Sequence, residues 1–221
     1  MHVGRIMNTD LITVTPDTPL TKAKKIIEDK VISHLLVVDK KGQFKGIVSD
    51  RDVKQSWASP ATALSVHELN YLLDQLTAGH IMTTTPITVS PGTTIERAAH
   101  LMQQNRISAL PVMQGNDLVG IITRTDVMAL LLQAIGIDKD SARFTVLVKD
   151  RVGVMAEVSQ LLKDAGVNIR SLVTWPESRH PGYYQLVLRV PAKNSAQAVE
   201  ALEKSGFKVL TEYVEDFTPF L

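Results

Sequence analysis

The chain of 221 residues contains no cysteine, which removes disulfide frameworks, thiolate zinc sites, iron–sulfur clusters and cysteine nucleophiles together. Aromatic residues are scarce, at 5%, which speaks against a base-stacking surface and against an aromatic-lined pocket. An excess of either charge is missing as well. Lys and Arg number 24 against 23 Asp and Glu, and the net charge of +1 exerts no long-range pull on nucleic acid or anionic lipid. Neither nucleic acid nor a membrane is therefore expected as a partner, and any bound anion must meet a local site. The first residues lack a basic segment followed by an apolar run. The longest apolar stretch, Val127–Ile137, is interrupted by Gln133 and Gly136 and falls short of the roughly 20 residues that span a bilayer. A cytoplasmic protein is expected. At 44% hydrophobic and 21% charged residues, the composition is that of a globular chain with a real core.

Catalytic signatures are also missing. No Gly-x-Ser-x-Gly, Walker loop or Gly-x-Gly-x-x-Gly occurs. His67-Glu68 matches the first two positions of His-Glu-x-x-His, but position 71 is Tyr, so the second zinc ligand is absent. The six histidines, His2, His34, His67, His80, His100 and His180, show no close ligand spacing. No catalytic residue, metal site or catalytic cofactor is expected.

What is present is a repeat. Ile6-Met7 and Ile12-Thr13-Val14-Thr15-Pro16 align with Ile81-Met82 and Ile87-Thr88-Val89-Ser90-Pro91 at a constant shift of 75. Ile32-Ser33-His34-Leu35-Leu36-Val37 aligns with Ile107-Ser108-Ala109-Leu110-Pro111-Val112 at the same shift. Gly46-Ile47-Val48-Ser49-Asp50-Arg51-Asp52 aligns with Gly120-Ile121-Ile122-Thr123-Arg124-Thr125-Asp126 at a shift of 74. Three blocks in one register mark a duplicated unit.

Each unit reads as β-α-β-β-α. A β-branched strand (Ile12–Thr15; Ile87–Ser90) leads to a helix announced by Thr18-Pro19 or by a Thr93-x-x-Glu96 capping box. Two strands joined by a tight turn follow, and a final helix is expected to begin at Asp52 or Asp126. Between the units, Ser65–Thr77 carries leucines at helical spacing behind a Ser65-x-x-Glu68 box and reads as a connecting helix. Beyond a polar linker, strands at Phe144–Val148, Ile169–Thr174, Tyr184–Val190 and Lys208–Tyr213 alternate with helices after Gly153 and from about Ser195, giving the βαββαβ order of a ferredoxin-like domain. The expected organisation is repeat 1 over 1–57, an insert over 58–78, repeat 2 over 79–137, a linker over 138–142 and the third domain over 143–217. The fold class is α/β (α+β).

The twice-occurring Gly-hydrophobic-hydrophobic-Ser/Thr-x-x-Asp resembles the signature of a tandem CBS (cystathionine beta-synthase) domain pair, a Bateman module. Asp150-Arg151-Val152-Gly153 after a strand, with Gly166-Val167-Asn168-Ile169 leading into the next, resembles an ACT domain. The combination is similar to regulatory proteins of the acetoin-utilisation B type.

Independently of any family, a helix start offers free N–H groups and partial positive charge to a phosphate, and the Ser49 or Thr123 hydroxyl adds a contact. Arg51 and Arg124 supply full charges, while Asp52 and Asp126 suit the two hydroxyls of a ribose. The same residues also fit a purely structural role as helix caps and turn formers. The resemblance implies that each cleft mixes the repeats. One would combine Ser49, Arg51 and Asp52 with Ile87, Ser108 and Ala109; the other would combine Thr123, Arg124 and Asp126 with Ile12, Ser33 and His34. His34 stands where repeat 2 has Ala109, and it either stacks on a base or fills its place. The ligand implied is an adenine nucleotide of the AMP, ADP, ATP or S-adenosylmethionine class.

For the third domain, the resemblance implies an amino acid near Asp150, Gly153, Asn168 and Ile169, although Val152 stands where proline is usual. A homodimer and a regulated partner protein are implied too. The resulting expectation is a non-catalytic regulatory sensor, with a ligand-independent oligomerisation or docking module for an enzyme or transporter as the alternative.

Overall fold

The computed structural model describes residues 1–57, 75–137 and 140–220, so most of the expected connecting helix at Ser65–Thr77 lies outside the described residues. The chain divides into two compact units, Met1–Met128 and Ala129–Leu221.

In the first unit, the strands β1 (Thr13–Val14), β2 (His34–Val38) and β3 (Phe44–Ser49) form one sheet in that order, β1 parallel and β3 antiparallel to β2. Helix α1 (Leu20–Lys30) places Leu20, Ala23 and Ile27 on one face. These meet Leu35, Val37 and Val48 of the sheet and Val53 of α2 (Asp50–Ser56) in a closed core. Each of the larger side chains stabilises by roughly 1.5–3 kcal/mol through burial. The second repeat supplies α3 (Ala78–Ile81), α4 (Ile95–Gln104), the hairpin β4 (Ala109–Gln114) and β5 (Asp117–Thr123), and then α5 (Arg124–Ile135).

The expected strand Ile87–Ser90 contracts to one bridge, Val89 with Val112. Pro111, where repeat 1 has Leu36, lacks the N–H that in repeat 1 donates to the Ile12 carbonyl at 3.4 Å, so the equivalent bond to Ile87 cannot form. The helix starts differ as well. Pro19 is itself the cap of α1, and Thr94 rather than Thr93 caps α4, accepting from Arg97 N–H at 3.3 Å. Thr18 and Thr93 instead close the preceding turn, accepting from Thr15 N–H and Ser90 N–H, both at 3.1 Å.

The repeats interlock through backbone. Asn8 exchanges both hydrogen bonds with Ile121 (2.9 and 3.0 Å), and Thr83, its equivalent 75 residues on, does so with Ile47 (2.9 and 3.1 Å). The chain leading into each repeat thus pairs with the last strand of the other. This crossing explains the signature glycines. A Cβ at Gly46 would overlap the Thr83 carbonyl oxygen, and one at Gly120 would meet the Met7 side chain. Even the backbone departures repeat: Val31 and Arg106, again 75 apart, hold φ of 53° and 54° just beyond α1 and α4.

The second unit is an antiparallel sheet in the order β7 (Ser171–Pro176), β8 (Tyr183–Pro191), β6 (Ser141–Lys149), β9 (Lys208–Leu210). Helices α6 (Val154–Asp164) and α7 (Ser195–Lys204) cover one face. Phe144, Val146, Val148, Leu186, Leu188 and Val190 point to them and close a core with Val158, Leu162, Ala198 and Leu202. The expected βαββαβ order is present, with the last strand shortened from Lys208–Tyr213 to Lys208–Leu210.

Candidate functional site

The final helices begin at Asp50 and Arg124, not at Asp52 and Asp126. The Ser49 hydroxyl is the cap, accepting from Asp52 N–H at 3.2 Å, and the Asp52 carboxylate returns the bond. Its Oδ2 accepts from both Ser49 N–H (2.7 Å) and the Ser49 hydroxyl (2.6 Å). Thr123 and Asp126 repeat the arrangement, at 2.8, 2.7 and 3.3 Å. All these bonds to carboxylate fall on Oδ2, which leaves Oδ1 of each aspartate for another partner. The signature is therefore a structural lock and a held carboxylate at once.

Around Ser49 and Asp52 opens a cleft of about 750 Å³. It brings together Ser49, Arg51, Asp52, Ile87, Ser108 and Ala109, the set expected for one cleft. Ser33, His34 and Arg124, expected with Thr123 and Asp126, line this same cleft, whereas Ile12, Thr123 and Asp126 do not. The reasons are geometric. His34 lies directly opposite Ser49 in the β2–β3 ladder, and its Nε2 reaches Ser108 Oγ of the other repeat at 2.8 Å. Arg124 turns its guanidinium to donate to the Ile107 carbonyl at 2.9 Å, which draws it to the 105–109 wall. Ile12 packs instead on the core around Val14.

The sequence reading missed Thr83, Thr85, Pro86, Asn105 and Arg106. Thr83 follows from the crossing at Gly46, and Arg106 from its left-handed position after α4; neither is marked by a residue type that requires it. Three guanidinium groups, Arg51, Arg106 and Arg124, thus face two carboxylates. Of these, Asp50 is paired with Lys54 at 2.6 Å. Burial pushes His34 below its usual value, while Asp52 and Asp50 pull it back up.

In the second unit, a cavity of about 540 Å³ is lined by Asp150, Arg151, Gly153 and Val154 with Thr174, Tyr184 and Leu186. Gly153, at φ 87°, caps α6, and Arg151 pairs with Glu157. Asn168 is exposed and Ile169 packs on the core, and neither lines this cavity. Among the described residues there is no group of three or more His, Asp or Glu able to hold a metal ion, and no helix long and apolar enough to cross a membrane.

The CBS domain profile matches residues 3–58 and 78–133, and the ACT domain profile matches 142–207. The chain belongs to the CBS-domain family, with a tandem CBS pair followed by an ACT domain. A CBS domain-containing protein of Dictyostelium discoideum is 31% identical over 60% of this chain and 92% of its own length. An uncharacterized protein of Methanocaldococcus jannaschii is 26% identical over 92% of this chain. Inosine-5'-monophosphate dehydrogenase of Mycobacterium leprae is 28% identical over 93% of it. The chain spans only 51% and 36% of those two proteins. Among solved structures, the CBS domain pair of protein MJ0100, in complex with 5'-methylthioadenosine and S-adenosyl-L-methionine, is 26% identical. It superposes with a TM-score of 0.50 over 59% of this chain and 95% of that one. A Vibrio cholerae protein assigned to acetoin utilization (AcuB) is 28% identical, with a TM-score of 0.50 over 60% and 91%.

Proposed function

We propose that this protein is a non-catalytic regulatory sensor whose CBS pair binds an adenine nucleotide in the Ser49/Asp52 cleft. The observation that carries the reading is the cleft itself: about 750 Å³, built from both repeats, with a held carboxylate at one wall and arginines at the others. Asp52 Oδ1 accepts from a ribose hydroxyl. The apolar Ile87 and Ala109 border the base, and Arg51, Arg106 and Arg124 attract phosphate. The MJ0100 complex supports the adenosine part of this reading. The arginines favour a phosphorylated nucleotide, AMP, ADP or ATP, over the cationic S-adenosylmethionine. Because the lining comes from both repeats, a bound nucleotide prefers one arrangement of the pair, which is the differential affinity that a sensor needs.

In the same reading the ACT domain offers a second, small-ligand site at the Asp150–Gly153 loop, and the protein acts in the cytoplasm as a homodimer on a partner protein. Melting scans with AMP, ADP, ATP, S-adenosylmethionine and NAD test it. A selective upward shift with a phosphorylated adenosine is expected, and one of about 100 times its Kd stabilises by about 2.7 kcal/mol. No shift with any of them would favour a ligand-independent oligomerisation or docking module.

A further inference from the structure

The lining of the Ser49/Asp52 cleft includes one side chain whose charge changes near neutral pH, His34. It opens β2 directly opposite Ser49, and its Nε2 crosses to Ser108 Oγ of the other repeat at 2.8 Å. Ser108 is in turn tied to the start of α5, its carbonyl accepting from Arg124 N–H at 2.8 Å. Ser33, next to His34, is tied to α2 in the same way, its carbonyl accepting from Asp50 N–H at 2.9 Å. The imidazole therefore sits where both helix starts and both repeats meet.

The charges that share the cleft with it come from three places. Helix α2 brings Asp50, Arg51 and Asp52, the turn after α4 brings Arg106, and α5 brings Arg124. Asp50 is engaged by Lys54 at 2.6 Å. The remaining walls, Ser49 at the end of β3 and the 83–87 segment, carry no acidic or basic side chain. In the free cleft, burial favours the neutral imidazole against a smaller pull from Asp52 and Asp50. A neutral ring has one N–H and one lone pair, and the Ser108 hydroxyl can serve either of them at Nε2. A phosphate drawn to Arg106 and Arg124 arrives on the wall that carries Ser108, and it brings up to about two negative charges. Negative charge close by favours the imidazolium, whose N–H at Nδ1 is then a second donor, free to meet a phosphate oxygen. Adenosine without phosphate brings no such charge.

We propose that His34 is a specificity-determining residue of this cleft: it takes up a proton as a phosphorylated adenosine enters, and so favours phosphorylated over unphosphorylated adenosine increasingly as the pH falls. The inference rests on the nucleotide reading of the cleft and adds to it the proton and its carrier. Ala109, the equivalent residue of repeat 2, cannot take a proton, so the two repeats differ in this respect.

The full chain and His34→Gln are titrated calorimetrically with AMP and with adenosine between pH 8 and pH 6, and the His34 ring signals of the parent chain are followed by NMR over pH 8 to 5 with and without AMP. The ring is expected to titrate at higher pH with AMP bound than without it, and to move far less with adenosine. The preference for AMP over adenosine should grow by about threefold or more from pH 8 to pH 6 in the parent relative to His34→Gln. The second ionisation of the phosphate itself, near pH 6, acts in the opposite direction and equally in both chains, so it cancels in that comparison. A merely structural role for His34 would instead weaken AMP and adenosine alike and leave the pH dependence as it is. AMP binding that leaves the His34 titration unmoved or lowers it, or equal pH dependence in parent and variant, overturns the proposal while the nucleotide reading stands. No AMP binding at any pH removes both.

Discussion

Replacing Gly46 by alanine would set a methyl group onto the Thr83 carbonyl oxygen, which is backbone and has no rotamer with which to yield. To relieve the overlap, the 83–87 segment must move away from β3. That breaks the paired bonds between Ile47 and Thr83 at 2.9 and 3.1 Å. Two backbone hydrogen bonds are worth about 1 kcal/mol each and the overpacking about 1–3, so the expected loss is about 3–5 kcal/mol. Gly120→Ala provides the internal control. Its nearest contact is the tip of Met7, a flexible side chain that can swing aside, and the expected loss is about 1 kcal/mol. The chain has one tryptophan in each unit, Trp57 packing on the first core and Trp175 on β7. In a Trp175→Phe background, Trp57 emission during urea unfolding therefore reports on the first unit. With a slope of about 1–3 kcal/mol per molar urea, Gly46→Ala should lower the midpoint by more than about 1 M and Gly120→Ala by much less. Equal losses, or a Gly46→Ala midpoint within error of the parent, would refute the crossing as the reason for the glycine. Because Thr83, Thr85 and Ile87 line the cleft, the same variant should also weaken nucleotide binding.

Asp52→Asn keeps an acceptor for Ser49 but loses the charge, so stability should fall by about 1 kcal/mol or less while nucleotide affinity falls at least about tenfold; isothermal titration beside a urea melt reads both. His34 is held below its usual value of 6.5 chiefly by burial. In this case the unfolded chain takes up the proton first, so the stabilisation is complete above about pH 6.5 and is lost as pH falls toward the folded value. The urea midpoint should therefore drop more steeply between about pH 7.5 and 5 in the parent than in His34→Gln, and parallel slopes would contradict this. Leu188→Ala empties a fully buried position and should cost about 2–5 kcal/mol, seen by Trp175 emission in a Trp57→Phe background.

The duplication and, apart from the first strand of repeat 2, the order of elements in both units were legible in the sequence because they rest on residue type at fixed spacing, whereas the pairing of Ser49 and Asp52 with Ile87, Ser108 and Ala109 was implied by the family resemblance. What escaped depends on geometry between repeats. A hydroxyl such as Thr18 or Thr93 can close a turn behind it or cap a helix ahead of it, and only the backbone path decides. The cap at Ser49 and its reciprocal acceptor at Asp52 could each have been the helix start, and the structure assigns the roles in the opposite sense. His34 and Arg124 moved to the other cleft because one pairs across from Ser49 and the other is drawn to the Ile107 carbonyl. Gly46 and Gly120, which the sequence shows only as members of a repeated signature, are places where a second chain segment crosses.

The most direct test of the central claim is calorimetric titration of the full chain with AMP, ADP, ATP and S-adenosylmethionine, for the parent protein and for Asp52→Ala, Asp126→Ala and Arg106→Gln. Saturable binding of a phosphorylated adenosine is expected, with large losses in Asp52→Ala and Arg106→Gln and little change in Asp126→Ala, which lies outside the open cleft. Binding lost in Asp126→Ala but retained in Asp52→Ala would contradict the assignment of the cleft, and no binding of any nucleotide to the parent would contradict the sensor itself.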